Sequence, residues 1–480
     1  LGVLPAHSAA LTELSDFDRM VKNPEVRMTK ASNIAAGRLE PEDYDKNFSD
    51  IAPPFDQNDA RVAAERCLFC YDAPCVQACP TAIDIPLFIR EIAAGNPHGA
   101  AKTILTANIM GGMCGRVCPT ETLCEEVCVR EYAEGKPVEI GRLQRYATDV
   151  LFESGKQIFS QGTASGRRVA VVGGGPAGLA CAHKLATLGH EVTVFEAREK
   201  AGGLNEYGIA AYKTVNDFAQ REVNYILGVG GIRMDYGKRL GKGLKLKTLR
   251  ENFDAVFLGI GLGGVNDLNE KTDVAGVMNA VDYIARLRQS QDLSKLPVGR
   301  RIVVIGGGMT AIDIASQTKR LGAEDVTIVY RRGAEQMGAS DYEQELAQTD
   351  GVLIRHWMQP KKVLAKAGKL IGVEFEYTKE KNGRLVGTGE ILRMPCDQLF
   401  KAIGQTLNVE DVASREDYVE LEKDRIKVDE ERRTSVANVW AGGDCVAGGK
   451  DLTVSAVEDG KVAALSIDRY LRSLTSATAA

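Results

Sequence analysis

Eight of the chain's eleven cysteines fall between Cys67 and Cys128, spaced C-x2-C-x4-C-x3-C-P from Cys67 to Pro80 and C-x3-C-P-x4-C-x3-C from Cys114 to Cys128. Such density asks for a metal or a disulfide framework. Short repeated gaps closed by a cysteine-proline step match the thiolate ligation of iron-sulfur clusters. Disulfides need an oxidising compartment, and the first apolar stretch, Leu1 to Leu11, lacks the basic n-region of a secretory leader. Structural zinc favours paired C-x2-C knuckles, and Cys67 with Cys70 makes only one.

A second chemistry lies in two glycine loops. Arg167 to Val172 reads as a strand, followed by Gly173-Gly174-Gly175-Pro176-Ala177-Gly178, a helix Leu179 to Leu188, and a strand Glu191 to Phe195 ending at Glu196. A G-x-G-x-x-G turn in that setting lets backbone approach a pyrophosphate at a helix N-terminus, and an acid at the second strand's end accepts from a ribose hydroxyl. The pattern returns with strand Arg300 to Ile305, loop Gly306-Gly307-Gly308-Met309-Thr310-Ala311, helix Ile312 to Leu321 and strand Val326 to Val329. Two loops imply two different dinucleotides. At the second, Tyr330 replaces the acid and Arg331-Arg332 follow, a pair suited to clamp a 2′-phosphate, which favours NADP(H) over NAD(H). Alternatively, the arginines solvate a loop.

The elements that must position these groups change character along the chain. Up to about Asp56 the sequence is polar and mixed, and reads as an arm that wraps or links. Helices are expected from Asn58 into Cys67, over Pro86 to Ala94, Gly99 to Leu105 and Glu139 to Phe152, with the cysteines in the loops between them. After the loop Gly162 to Gly166, strands and helices alternate. Phe253 to Gly261 and Gln398 to Gly404 read as buried strands ending in glycine turns. Val439 to Asp444 ends a strand in a glycine pair and an acid that can accept from a ribityl chain. A helix from Leu452 to Leu465 then offers its dipole near Thr453 and contains Asp459-Gly460-Lys461. At 480 residues about three domains are expected. Sixty basic against 65 acidic residues, net −5, advertise neither nucleic acid nor an anionic membrane. No apolar run approaches the roughly 20 residues of a membrane span, so a cytoplasmic protein is expected.

The four motifs in order, the cysteine-rich front, GGGPAG with Glu196, GGGMTA with Tyr330-Arg331-Arg332, and AGGDC followed by LTVSAVEDGK, resemble the electron-input half of dihydropyrimidine dehydrogenase. The small subunit of bacterial glutamate synthase shares this order. The resemblance covers roughly Asp56 to Leu471, and CLFCYDAPCVQACPTAIDIPLFI and IGRLQRYATD look closer to the dehydrogenase branch. It implies an α/β chain: a helical iron-sulfur domain (1–160), then two Rossmann-like domains, the nicotinamide domain (286–405) inserted between two segments of the FAD domain (161–285 and 406–480).

The same resemblance implies two 4Fe-4S clusters with interleaved ligands. Cys67, Cys70, Cys75 and Cys128 would hold one, and Cys79, Cys118, Cys124 and Gln144 the other, leaving Cys114 unligated. For FAD the implied residues are Gly174, Gly175, Pro176, Ala177, Glu196, Gly203, Leu204, Lys213, Asp444 and Thr453. For the nicotinamide nucleotide they are Gly307, Gly308, Met309, Thr310, Arg331, Arg332, Ala402, Ile403 and Gly404. Gly338 departs from an arginine of the animal enzyme, which opens the choice between NADPH and NADH. The expected activity is hydride transfer from NAD(P)H to FAD, and electron delivery through the clusters to a partner subunit. That partner would be a barrel carrying FMN and further iron-sulfur clusters, reducing uracil or thymine to the 5,6-dihydropyrimidine in a hetero-oligomer. The competing expectation is the glutamate synthase small subunit. A flavin disulfide reductase would need a redox cysteine pair, whereas Cys181, Cys396 and Cys445 stand apart in sequence.

Overall fold

The computed structural model describes residues 33–268, 273–408, 410, 412 and 418–478. The chain divides into two units, one of residues 50–264 and 405–480, the other of 265–404 with the described part of 1–49.

In the first unit the helices Gln57–Glu65, Ile85–Ala93, Pro97–Ala107, Gly111–Val117 and Ile140–Glu153 start where local chemistry dictates. Asp56, Asp84 and Asn96 each accept a backbone N–H of the first turn, from Asp59, Leu87 and Gly99. Pro86 and Pro97 sit at the start, where a missing N–H costs nothing. These caps lie just upstream of the apolar periodicity, so the helices begin a residue or two from where periodicity alone puts them. The buried faces of all but Gly111–Val117 join in one core that includes Ala60, Phe88, Ile89, Ile104, Leu143 and Leu151, while Met113 of that helix packs with Phe218 and Ala219. Not every cysteine lies in a loop: Cys75 is within the short helix Pro74–Ala78 and Cys114 within Gly111–Val117.

The same unit contains a five-stranded parallel sheet in the order Val439–Ala441, Ala255–Leu258, Arg168–Val172, Glu191–Glu196, Ile232–Tyr236. Past the exposed Arg168 its central strands are apolar and buried, as a sheet covered on both faces requires. The helices Pro176–Thr187 and Thr453–Thr478 pack on each other so closely that a methyl at Gly460 would lie 2.1 Å from the Ala177 carbonyl oxygen. The second helix runs well past the expected Leu465 because Ile467 and Leu471 keep its face buried and no breaker follows.

The second unit repeats the parallel sheet with strands Leu353–Arg355, Asp325–Val329, Arg301–Ile305, Gln398–Lys401 and Val277–Asn279. It adds an antiparallel sheet of Met358–Lys366, Lys369–Lys381 and Arg384–Pro395, absent from the sequence reading. The signal was present: Asn382-Gly383, both at positive φ, is the hairpin turn that right-handed strand twist selects. The polar lead segment is tied here, Ile34–Ala35 pairing with Val298–Gly299 and Asn47 Nδ2 donating to the Arg320 carbonyl. Among the described residues no helix is long and apolar enough to cross a membrane.

Candidate redox sites

One cavity in the first unit is built around the first glycine loop. Gly173 has φ 102°, and a methyl there would come 2.2 Å from the Gly259 carbonyl oxygen. A methyl at Gly178 would lie 1.9 Å from the Gly173 oxygen. Only glycine lets strand, turn and helix close up in this way. The helix Pro176–Thr187 has no side-chain cap, so its first N–H groups stay available to an anion. Glu196, buried at the strand end, accepts from the N–H groups of Gly174 and Arg198, both at 2.7 Å, and thereby ties the acid to the turn.

Gly175, Pro176, Ala177, Glu196, Gly203, Leu204, Asp444 and Thr453 all line this cavity. Gly174 stands behind them on Glu196, while Lys213, on the turn Ala211–Lys213, is outside the lining set. Asp444 has its carboxyl raised to about 6, by burial first and then by the charge of Asp451. Lys238, Arg239, Asn205 and Asn408 also line the cavity and were not anticipated, because only the fold brings their separate segments together. The Asp459-Gly460-Lys461 run explains itself here. Asp459 accepts the Gly443 N–H at 2.9 Å, Gly460 permits the helix contact, and Lys461 Nζ donates to the carbonyls of Ala107 and Thr81 at 3.1 and 3.4 Å.

The cysteines form two groups, all free thiols. Cys67, Cys70, Cys75 and Cys128 line one small cavity. Burial pushes Cys75 up to about 12, and the neighbouring Cys67 and Cys128 thiols add to it. Cys67 is raised for the same reasons, with the Phe69 N–H at 3.4 Å offsetting part. Around Cys118 stand Cys114, Cys124 and Cys79. A hydrogen bond with the Cys114 thiol, then burial, raises it well above the ordinary range. Thr81 Oγ1 lies 3.4 Å from Cys79 Sγ. Gln144 is buried on Ile140–Glu153 and donates from Nε2 to the Gly111 carbonyl at 2.7 Å, at the start of the helix that carries Cys114. Grouped in this way the thiols offer soft sulfur donors, which a bound cation would hold as thiolates. Among the described residues no three Cys, His, Asp or Glu side chains converge on a single-ion position. Cys181, Cys396 and Cys445 are buried, and burial pushes each thiol up, with Cys445 at about 12.

In the second unit Gly306 repeats the close approach, 2.2 Å from a methyl to the Ala402 oxygen, while Gly308 is open on all sides. The Tyr330 ring packs on Gly307, and its hydroxyl donates to the Gln336 carbonyl at 2.6 Å. Met309 and Thr310 open the helix Met309–Arg320. Arg331 and Arg332 are exposed, and it is their carbonyls that are held, by Thr378 Oγ1 and the Trp357 N–H. Asn266 closes the far side on Ile403 and Gly404. Gly338 faces Gly308, with Ala339 N–H on the Gly307 carbonyl at 3.0 Å.

Residues 44–156 match the family model described as dihydropyrimidine dehydrogenase domain II, 4Fe-4S cluster, and residues 167–460 the pyridine nucleotide-disulphide oxidoreductase model. The NAD-dependent dihydropyrimidine dehydrogenase subunit PreT of Escherichia coli O157:H7 is 36% identical over 434 residues, 90% of this chain and 99% of that protein. The glutamate synthase [NADPH] small chain of Escherichia coli K12 is 33% identical over 453 residues, 88% and 94% of the two chains. Among solved structures, Mycobacterium tuberculosis FprA in complex with NADPH shares the fold at TM-score 0.54 and 18% identity, covering 65% of this chain and 86% of that one.

Proposed function

The chain belongs to the family of dihydropyrimidine dehydrogenase subunits that join an iron-sulfur region to a pyridine-nucleotide oxidoreductase region, and from that membership we propose that it is the electron-input subunit of such an enzyme. It takes hydride from NAD(P)H and delivers single electrons to a partner subunit that carries FMN and reduces uracil or thymine to the 5,6-dihydropyrimidine. The observation that carries this reading is that the dinucleotide cavity and both thiol groups are built into one unit of the chain.

Bound FAD would supply a two-electron acceptor that releases electrons singly, and two 4Fe-4S clusters would supply one-electron carriers. The chain's own residues bind and orient. Gly174 to Ala177 and the uncapped helix behind them would hold a pyrophosphate, Glu196 a ribose, Gly203 and Leu204 the ring, and Asp444 the ribityl chain, with Thr453 placing a helix N-terminus against the ring's electron-rich edge. Lys213 remains a proposed neighbour of the ring. Cys67, Cys70, Cys75 and Cys128 would ligate one cluster, and Cys79, Cys118, Cys124 and Gln144 the other. Gly307 to Thr310 and Ala402 to Gly404 would seat the nicotinamide nucleotide, with Arg331 and Arg332 at its adenosine end.

Co-purification from the native host tests the reading. A barrel-sized partner, and NAD(P)H oxidation by the complex that depends on uracil or thymine, are expected. An amidotransferase partner, with oxidation that depends on glutamine and 2-oxoglutarate, would assign the chain to the glutamate synthase branch instead.

A further inference from the structure

Between the cavity and the second thiol group runs a buried polar seam. Asn205, 2% exposed, lines the cavity, and its amide reaches both ways. Its Oδ1 accepts from Thr453 Oγ1 at 2.6 Å, and its Nδ2 donates to Met110 Sδ at 3.6 Å. Met110 leads into the helix Gly111–Val117. Its own N–H is held by Asn108 Oδ1 at 3.0 Å, the Asn108 carbonyl accepts the Gly111 N–H at 2.9 Å, and the Gly111 carbonyl accepts from Gln144 at 2.7 Å. Asn108 and Met110 are 0% and 1% exposed. Asn108 Nδ2 is buried and among the described residues meets no partner, a cost a helical core does not bear for packing alone, so three buried carboxamides strung along one short loop call for a further reason.

We propose that Asn205 and Met110 are positioning residues for electron exit: they hold the Gly111–Val117 helix against the cavity and form the contact across which electrons pass to the second cysteine group. This rests on the cavity holding flavin and on that group holding a cluster. Electronic coupling falls off less through bonds and hydrogen bonds than across a void, and the thioether is the polarisable link in the seam. Two electrons and a proton arrive together as hydride. Each crossing moves one electron, the proton is left to solvent, and the partner subunit's redox centre is the final acceptor.

The test is anaerobic stopped-flow mixing of the holo chain with NADH, following the flavin band and the cluster band together. Met110→Leu keeps the volume and removes the sulfur. Asn205→Asp keeps the Thr453 acceptor and removes the donor to sulfur. In both, the ratio of cluster reduction rate to flavin reduction rate should fall by about tenfold. Iron content and the second cluster's midpoint potential should stay at wild-type values, which a merely structural role would disturb. A wild-type ratio in either well-loaded variant overturns the proposal, as does a slowing that appears only with a shifted potential or lost iron. If Met110→Leu fails to fold, Asn205→Asp decides alone. Clusters in the wild-type chain that NADH does not reduce would instead defeat the functional reading.

Discussion

The two glycine loops are built to the same plan with different tolerances. At the first, both close contacts are made between glycines: Gly173 against Gly259, and Gly178 against Gly173. At the second, Gly306 keeps its place but Ala402 stands opposite and Ala311 occupies the third position. Around the first loop the polar groups are buried and tied together, Glu196 to two N–H groups and Asp459 to Gly443. Around the second, Arg331 and Arg332 are exposed and Gly308 is open. A tight, tied cradle suits a resident group, and a looser, charged one suits a nucleotide that enters and leaves.

Exchanging the third position breaks this comparison most sharply. Gly178→Ala forces strand and helix apart and is expected to cost about 2–4 kcal/mol and abolish flavin retention, read as loss of absorbance near 450 nm. Ala311→Gly should cost only about 1 kcal/mol, the ordinary helix penalty, with nucleotide reduction retained. Equal effects would mean that the loops do not differ in kind. Next in size is Glu196→Ala, which strands the buried Gly174 N–H and the partly buried Arg198 N–H. Flavin affinity measured by titration of the apoprotein should fall by about 2–3 kcal/mol, and an unchanged affinity would show that the acid only braces the turn.

A smaller effect follows from Glu222, buried on Phe218–Leu227 and accepting from the Met113 N–H at 3.0 Å. Burial raises its carboxyl to about 8, against partial relief from the Met113 and Gly112 N–H groups and the Arg116 charge. Between the ordinary 4.5 and about 8 the folded chain holds a proton that the unfolded chain has lost, so this group's contribution to stability falls as pH rises through that window. Glu222→Gln should therefore match the wild type near pH 5 and exceed it by about 1–2 kcal/mol at pH 8, read from melting temperatures. A gap that does not change with pH would show that Glu222 is ionised when buried.

How far the sequence speaks depends on the range of the constraint. The loops were legible because glycine, strand and helix N-terminus lie within a few residues of one another. Helices around the cysteines were legible from periodicity, and their ends were off because Asp56, Asp84 and Asn96 cap from outside it. The cysteine grouping was not legible from spacing, which pairs neighbours in sequence; only the family resemblance gave it. Its physical cause is tertiary: Arg130 Nε donates to the Arg66 carbonyl at 3.0 Å, and Arg66 reaches the Pro137 carbonyl, which draws Cys128 back to Cys67. Lys238, Arg239 and Asn205 stayed hidden for the same reason. Met358 to Pro395 is different, since its alternation and Asn382-Gly383 turn are local and were simply not read as a sheet.

The smallest expected effect sharpens the second cradle. Arg331 and Arg332 follow Tyr330, whose ring packs on Gly307, and both are exposed, which is the basis for proposing them as the contacts of a 2′-phosphate. Gly338, facing Gly308 with no side chain of its own, leaves the clamp with two prongs. Each exposed, solvated charge contributes modestly, so the double change Arg331→Ala, Arg332→Ala should raise the NADPH KM by about tenfold while leaving the NADH KM within about twofold. Gly338→Arg, adding a third cation to the same space, should move the NADPH KM the other way. If dye reduction with both nucleotides is indifferent to all three changes, the arginines serve only to solvate the loop, and the second cradle's selectivity must come from its backbone.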